Sequence, residues 1–121
     1  MARILIVDDS PTQMLSLSRI LKKHGHEVLS ATDGEEGVAV ALAEVPDLVL
    51  MDVVMPKING FQATRQITKN ASTEHIPVII VTTKDQETDK IWGARQGAKG
   101  YVIKPVEEGT LMETINQFLP K

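Results

Sequence analysis

The chain has 121 residues, 42% hydrophobic and 24% charged, a formal net charge of −3 and no cysteine. That length supplies the core of one domain and little more. The acidic balance excludes a basic surface for gripping nucleic acid, and the absence of thiols excludes disulfides and thiolate metal centres.

The first apolar run, Ile4 to Val7, is short and is stopped by Asp8 and Asp9, so it is neither a secretory leader nor a membrane span. A cytoplasmic protein is the expectation. Ser10 is placed to cap a helix with Pro11 at its first position and Gln13 closing a capping box. Met14, Leu17, Ile20 and Leu21 carry its apolar stripe, and Gly25 suits the left-handed stop. A second strand, Glu27 to Ser30, leads to a helix from about Glu35 to Glu44, capped by Asp33 or Thr32 and ended by Pro46. Its inward positions are expected to be Val38, Ala41 and Leu42.

The third strand, Leu48 to Met51, precedes Asp52 and a helix beginning near Gly60 that uses Phe61, Thr64 and Ile67. The fourth strand, Val78 to Val81, precedes Thr82 and Thr83 and a helix from about Asp85 to Gln96, stopped by Gly97. The inner face of that helix has room for only one of Ile91 and Trp92. The fifth strand, Tyr101 to Ile103, precedes Lys104 and Pro105, and Leu111, Ile115, Phe118 and Leu119 line the last helix. Alternation of β-branched runs with helical periods predicts an α/β fold: a doubly wound, five-stranded parallel sheet with five helices. The first, third and fourth strands are apolar on successive residues, as strands covered on both faces are, so they should be central.

Open sheets of this kind hold their ligands beyond the carboxyl ends of the strands. Asp8, Asp9, Asp52, Thr82 and Lys104 all follow strands and so gather at one edge. Each has a plainer reading alone: Asp9 as a helix cap, Thr82 as an ordinary strand residue, Tyr101 as a half-buried aromatic. Their joint placement carries the argument. Three carboxylates brought together repel unless a cation shares them, and with oxygen donors only, the hard cation Mg²⁺ suits the set. A carboxylate beside such a cation can attack a phosphoryl group, with the ammonium of Lys104 offsetting charge and the Thr82 hydroxyl meeting a phosphoryl oxygen.

The motifs Asp8-Asp9, Asp52-x-x-Met55-Pro56-x-x-x-Gly60, Thr82 and Tyr101-x-x-Lys104-Pro105 resemble those of bacterial response regulator receiver domains, from Ile4 to Leu119. The resemblance implies a flavodoxin-like receiver fold over residues 1–121, with no output domain. It implies that Asp52 accepts the phosphoryl group, that Asp9 and Asp52 bind Mg²⁺ directly, that Asp8 binds it through water and that Val54 lends its backbone carbonyl. It implies a cis peptide before Pro105. Phosphorylation would draw Thr82 inward and bury Tyr101, remodelling the face made by the fourth helix, fifth strand and fifth helix, with Trp92 as a candidate contact residue.

Two positions depart from the best-known chemotaxis receiver: Val54 and Lys84 stand where polar or acidic groups steer water, which implies a long-lived phosphoryl group. The segment from Thr82 to Trp92, with Gln96-Gly97-Ala98, further resembles stand-alone receivers of the chemotaxis-like systems that govern type IV pilus twitching motility. The implied partners are a histidine kinase or phosphotransfer domain as donor and a docked protein target, for a monomeric, non-enzymatic switch. A phosphate sink serving a companion regulator is the alternative role. A Mg²⁺-dependent phosphatase is the rival of another class, weakened because Val54 breaks the Asp-x-Asp pairing; a flavodoxin-like electron carrier lacks its phosphate loop after the first strand.

Overall fold

A computed structural model describes residues 1–120; Lys121 lies outside the described residues. The elements alternate as β1 (Arg3–Val7), α1 (Pro11–Lys23), β2 (Glu27–Ala31), α2 (Gly34–Glu44), β3 (Leu48–Met51), α3 (Gly60–Lys69), β4 (Val78–Thr82), α4 (Glu87–Arg95), β5 (Gly100–Ile103) and α5 (Glu108–Phe118). The strands form one parallel sheet in the order β2-β1-β3-β4-β5. The three continuously apolar strands are therefore the interior ones, as their composition predicts.

Side chains alternate across a strand, and here both sides are dry. Ile4, Ile6, Leu48, Leu50, Ile79 and Val81 pack against Leu17 and Leu21 of α1 and Leu111 and Ile115 of α5. Leu5, Val7, Val49, Met51 and Val78 point the other way, against Ala41 of α2 and Ala63 and Ile67 of α3. The order reverses at β1, which has β2 on one side and β3 on the other, so the loops after β1 and β3 part there and leave a crevice.

Several local expectations are corrected. Of the expected inward residues Ala41 is buried and Val38 half-buried, but Leu42 is exposed, and α2 buries Gly34 and Gly37 as well. A Cβ at Gly37 would lie 2.8 Å from Val7 Cγ1, so the helix sits too close to the sheet for a leucine on that face. Asp33, rather than Thr32, caps α2, its carboxylate accepting the Glu36 amide at 2.8 Å. In α4, Ile91 and Trp92 are both exposed, and the residue that turns inward is Gly93, against Ile80 and the Tyr101 ring. This helix is also shorter than expected, because Gln86 takes the N-cap position and its amide is accepted by Asp89 Oδ2 at 3.2 Å. His26 is half-buried, and its Nδ1 accepts the Ala2 amide at 3.1 Å. Burial, more than the nearby N-terminal amine and His24, pushes its pKa down.

Candidate phosphoacceptor and metal site

Backbone pairing continues one residue past the strands and sets the site. The Asp8 amide donates to Ala31 O at 3.1 Å, the Asp52 amide to Val7 O at 2.9 Å and the Lys104 amide to Thr82 O at 2.8 Å. Asp8 and Asp52 are thereby held at the crevice edge and are nearly sealed from solvent, while Asp9 is exposed. One carboxylate oxygen from each of Asp8, Asp9 and Asp52 lies within 4.8 Å of the others. Lys104 reaches the same point from β5: its Nζ stands 2.8 Å from Asp8 Oδ2 and 3.7 Å from Asp52 Oδ2. The Lys104–Pro105 peptide is cis.

Electrostatics follow from this crowding. Burial pushes the Asp52 carboxyl above its ordinary range and the Asp8 carboxylate adds to the rise; Lys104, the Val53 amide and the Thr82 hydroxyl pull it back only in part. Three carboxylates facing one ammonium leave negative charge uncompensated, and an all-oxygen donor set with that surplus fits a hard divalent cation.

The remaining predicted residues surround this cluster. Thr82 is fully buried at the end of β4, with its Oγ1 accepting the Lys84 amide at 3.4 Å. The Tyr101 hydroxyl donates to Lys84 O at 2.7 Å, so its ring bridges β5 to the β4–α4 loop. Val54 is exposed beside Asp52, and Trp92 faces the α3 side of α4, away from Tyr101.

Burial, with Asp89 and Asp85 adding charge, pushes the Tyr101 phenol up to about 12. Because this is the single tyrosine, a near-ultraviolet absorbance titration reads it alone. A folded pKa raised above 10 means that the neutral phenol stabilises the fold fully below pH 10, and that this contribution is lost as pH rises toward 12. A midpoint near 10 would show instead that the ring is solvated and free of Lys84.

Two structural roles escaped the sequence reading. Ser10 caps α1 and accepts the Gln13 amide at 3.3 Å, but the capping box does not close: the Ser10 amide donates to Asp8 Oδ1 at 2.9 Å. Asp8 is thus oriented by α1 as well as by Lys104. The box forms at α3 instead, between Asn59 and Gln62, a pattern that was readable at the right spacing. It seats Gly60 against the backbone of Asp52, where a Cβ would lie 1.9 Å from the Asp52 carbonyl oxygen.

A five-stranded parallel sheet with an acid triad and a lysine at its switch point defines an aspartate-based receiver, and comparison with known proteins agrees. The chain belongs to the response regulator receiver domain family, whose model matches residues 4–116. It is 68% identical over 119 residues to Protein PilH of Pseudomonas aeruginosa, a match covering 98% of each chain. Response regulator PleD of Caulobacter vibrioides is 36% identical over 114 residues, which are 94% of this chain but 25% of PleD. Among solved structures, the chemotaxis protein CheY4 of Vibrio cholerae superposes with a TM-score of 0.92 at 33% identity, covering 98% of this chain and 99% of that one. A response regulator from Chloroflexus aurantiacus gives a TM-score of 0.94 at 30% identity. Receiver domains take a phosphoryl group from histidine kinases and act on target proteins, and this chain is a response regulator of that kind.

Proposed function

We propose that the chain is a stand-alone, non-enzymatic switch in which Asp52 accepts the phosphoryl group. The observation that carries this is the convergence of Asp8, Asp9, Asp52 and Lys104 from three strand ends. An oxygen of Asp52 forms the bond to phosphorus as the donor's phosphorus–nitrogen bond breaks and the donor imidazole departs. Lys104 leaves its Asp8 contact to neutralise the incoming phosphoryl oxygens, and the buried Thr82 hydroxyl supplies a hydrogen bond to one of them. Asp9, Asp52 and the Val54 carbonyl would hold Mg²⁺, with Asp8 acting through water. When bound, that ion supplies charge neutralisation at the transferring group.

Movement of Thr82 releases the β4–α4 loop, and Tyr101, tied to Lys84, follows it and reshapes the α4-β5-α5 face for a protein target. The relation to PilH supports a role in chemotaxis-like control of type IV pilus twitching motility, as a cytoplasmic monomer phosphorylated by a histidine kinase or phosphotransfer domain. The test is an intact-mass measurement after incubation with acetyl phosphate and Mg²⁺. Wild type should gain one phosphoryl group, and none when chelator takes the place of Mg²⁺, and Asp52→Asn none in either case; equal labelling of the variant would refute the assignment.

Lifetime is a further expectation. Val54 carries no polar group, and the Lys84 ammonium lies 3.8 Å from Asp89 Oδ1, so neither presents an acceptor to orient an attacking water. Combining Val54→Asn with Lys84→Glu should shorten the phosphoryl half-life severalfold in a phosphate-release assay. An unchanged half-life would mean that these positions do not govern hydrolysis.

A further inference from the structure

We infer that the groove between α3 and α4 is a second docking surface, built for an acidic protein segment that carries a bulky apolar side chain. It is separate from the α4-β5-α5 face: a smaller hollow lined by Lys90 and Tyr101 lies on that side of α4, whereas Trp92 lies on this one. The groove encloses about 620 Å³, and Val53, Val54, Met55, Phe61 and Trp92 form its apolar lining. Val54 and Trp92 are 62% and 52% exposed, so both present apolar surface to the groove. Exposed tryptophan beside a desolvatable apolar floor is the usual anchor of binding energy.

Charge selects the occupant. In a chain of net charge −3 the groove carries Arg65 and Lys84 against Asp89 alone, a local surplus of one positive charge. Lys84 is already engaged by Asp89, while Arg65 makes no ion pair among the described residues. Arg95 lies 5.8 Å over the Trp92 ring and adds positive potential at the far end. A carboxylate beside an apolar side chain satisfies Arg65 and covers Trp92 in one step, which a cationic or wholly apolar segment does not. Nucleic acid would meet repulsion from the rest of the surface.

This docking requires no phosphoryl group, so its test stands apart from that of Asp52. Trp92 is the single tryptophan and reports its own occupancy. The acidic probe peptide acetyl-Asp-Glu-Phe-Leu-Asp-amide, titrated into the unphosphorylated protein, should give a saturable blue shift of the emission. The same peptide with lysines for its acids should not. Arg65→Glu, a solvent-facing change, should weaken binding roughly tenfold, the loss of about one favourable charge contact, and amide chemical shifts should move on α3 and α4 together. Equal binding by both peptides, an unaffected Arg65→Glu variant, or shifts confined to the β5 side would overturn the proposal. Concentration-dependent dimerisation without peptide, abolished by Arg65→Glu in sedimentation, would assign the groove to a second copy and overturn it too.

Discussion

Lys104→Met should destabilise the metal-free protein by about 3–5 kcal/mol, the range for removing one partner of a buried ion pair. Methionine keeps most of the aliphatic volume, so little of this loss is a cavity. What disappears is the cation 2.8 Å from Asp8 and 3.7 Å from Asp52, two carboxylates that are 2% and 8% exposed. Burial and Asp8 already raise the Asp52 pKa, so its ionised form is disfavoured by the fold. The sign is that of a raised acid: its stabilising protonated state is fully present below 3.8 and lost as pH rises through the folded value. Metal-free stability at neutral pH is therefore held down by Asp52, and more so once Lys104 is gone. Urea unfolding in chelator should show Asp52→Asn more stable than wild type and Lys104→Met less stable, with Mg²⁺ narrowing both gaps. Phosphorylation of Lys104→Met from acetyl phosphate should slow by roughly 10²-fold or more, the scale for losing one charge-stabilising group. Equal stability of Lys104→Met and wild type in chelator would mean that the ammonium does not compensate the acids.

Gly60→Ala is expected to cost at least about 3 kcal/mol, the upper part of the overpacking range, and to impair phosphorylation through geometry alone. The added Cβ would lie 1.9 Å from the Asp52 carbonyl oxygen, 2.7 Å from its carbon and 2.8 Å from Val53 Cα. All three are backbone atoms, so no side chain can swing clear. The start of α3 would have to retreat, breaking the bond from the Gly60 amide to Val53 O at 2.9 Å and shifting the strip that bears Asp52 and Val54. Gly25→Ala is the control: φ there is +85°, but nothing lies within 4 Å, so only the left-handed backbone penalty of roughly 1–2 kcal/mol applies. Denaturant midpoints for the two variants decide the matter, and a Gly60→Ala loss no larger than that of Gly25→Ala would show that the contact yields.

The strands and their central or edge positions were legible because full burial on two faces demands apolar residues at every position, a pattern that needs no partner to recognise. The cluster was legible for a related reason: parallel βα units carry all strand carboxyl ends to one rim, so residues directly after strands converge whatever the loops do. Helix faces were harder. Leu42, Ile91 and Trp92 have ordinary helical spacing, yet none of them turns inward, because each helix lies too near the sheet, and Gly37 and Gly93 mark that closeness only through their approach to Val7, Ile80 and Tyr101.

Residue order alone determined the alternating α/β chain and its acid-rich rim, because those follow from local periodicity and from the direction of the strands; that Asp52 is the acceptor among the acids came from the resemblance of the Asp52-x-x-Met55-Pro56 motif to receiver domains. Tertiary packing alone decided that Lys104 pairs with Asp8 more closely than with Asp52, that the Ser10 amide holds Asp8, that Tyr101 is tied to Lys84 and that Trp92 opens onto α3. The physical reason is that each is a choice among competing partners brought within reach only when distant segments meet, and side-chain reach of an ångström or two selects between them.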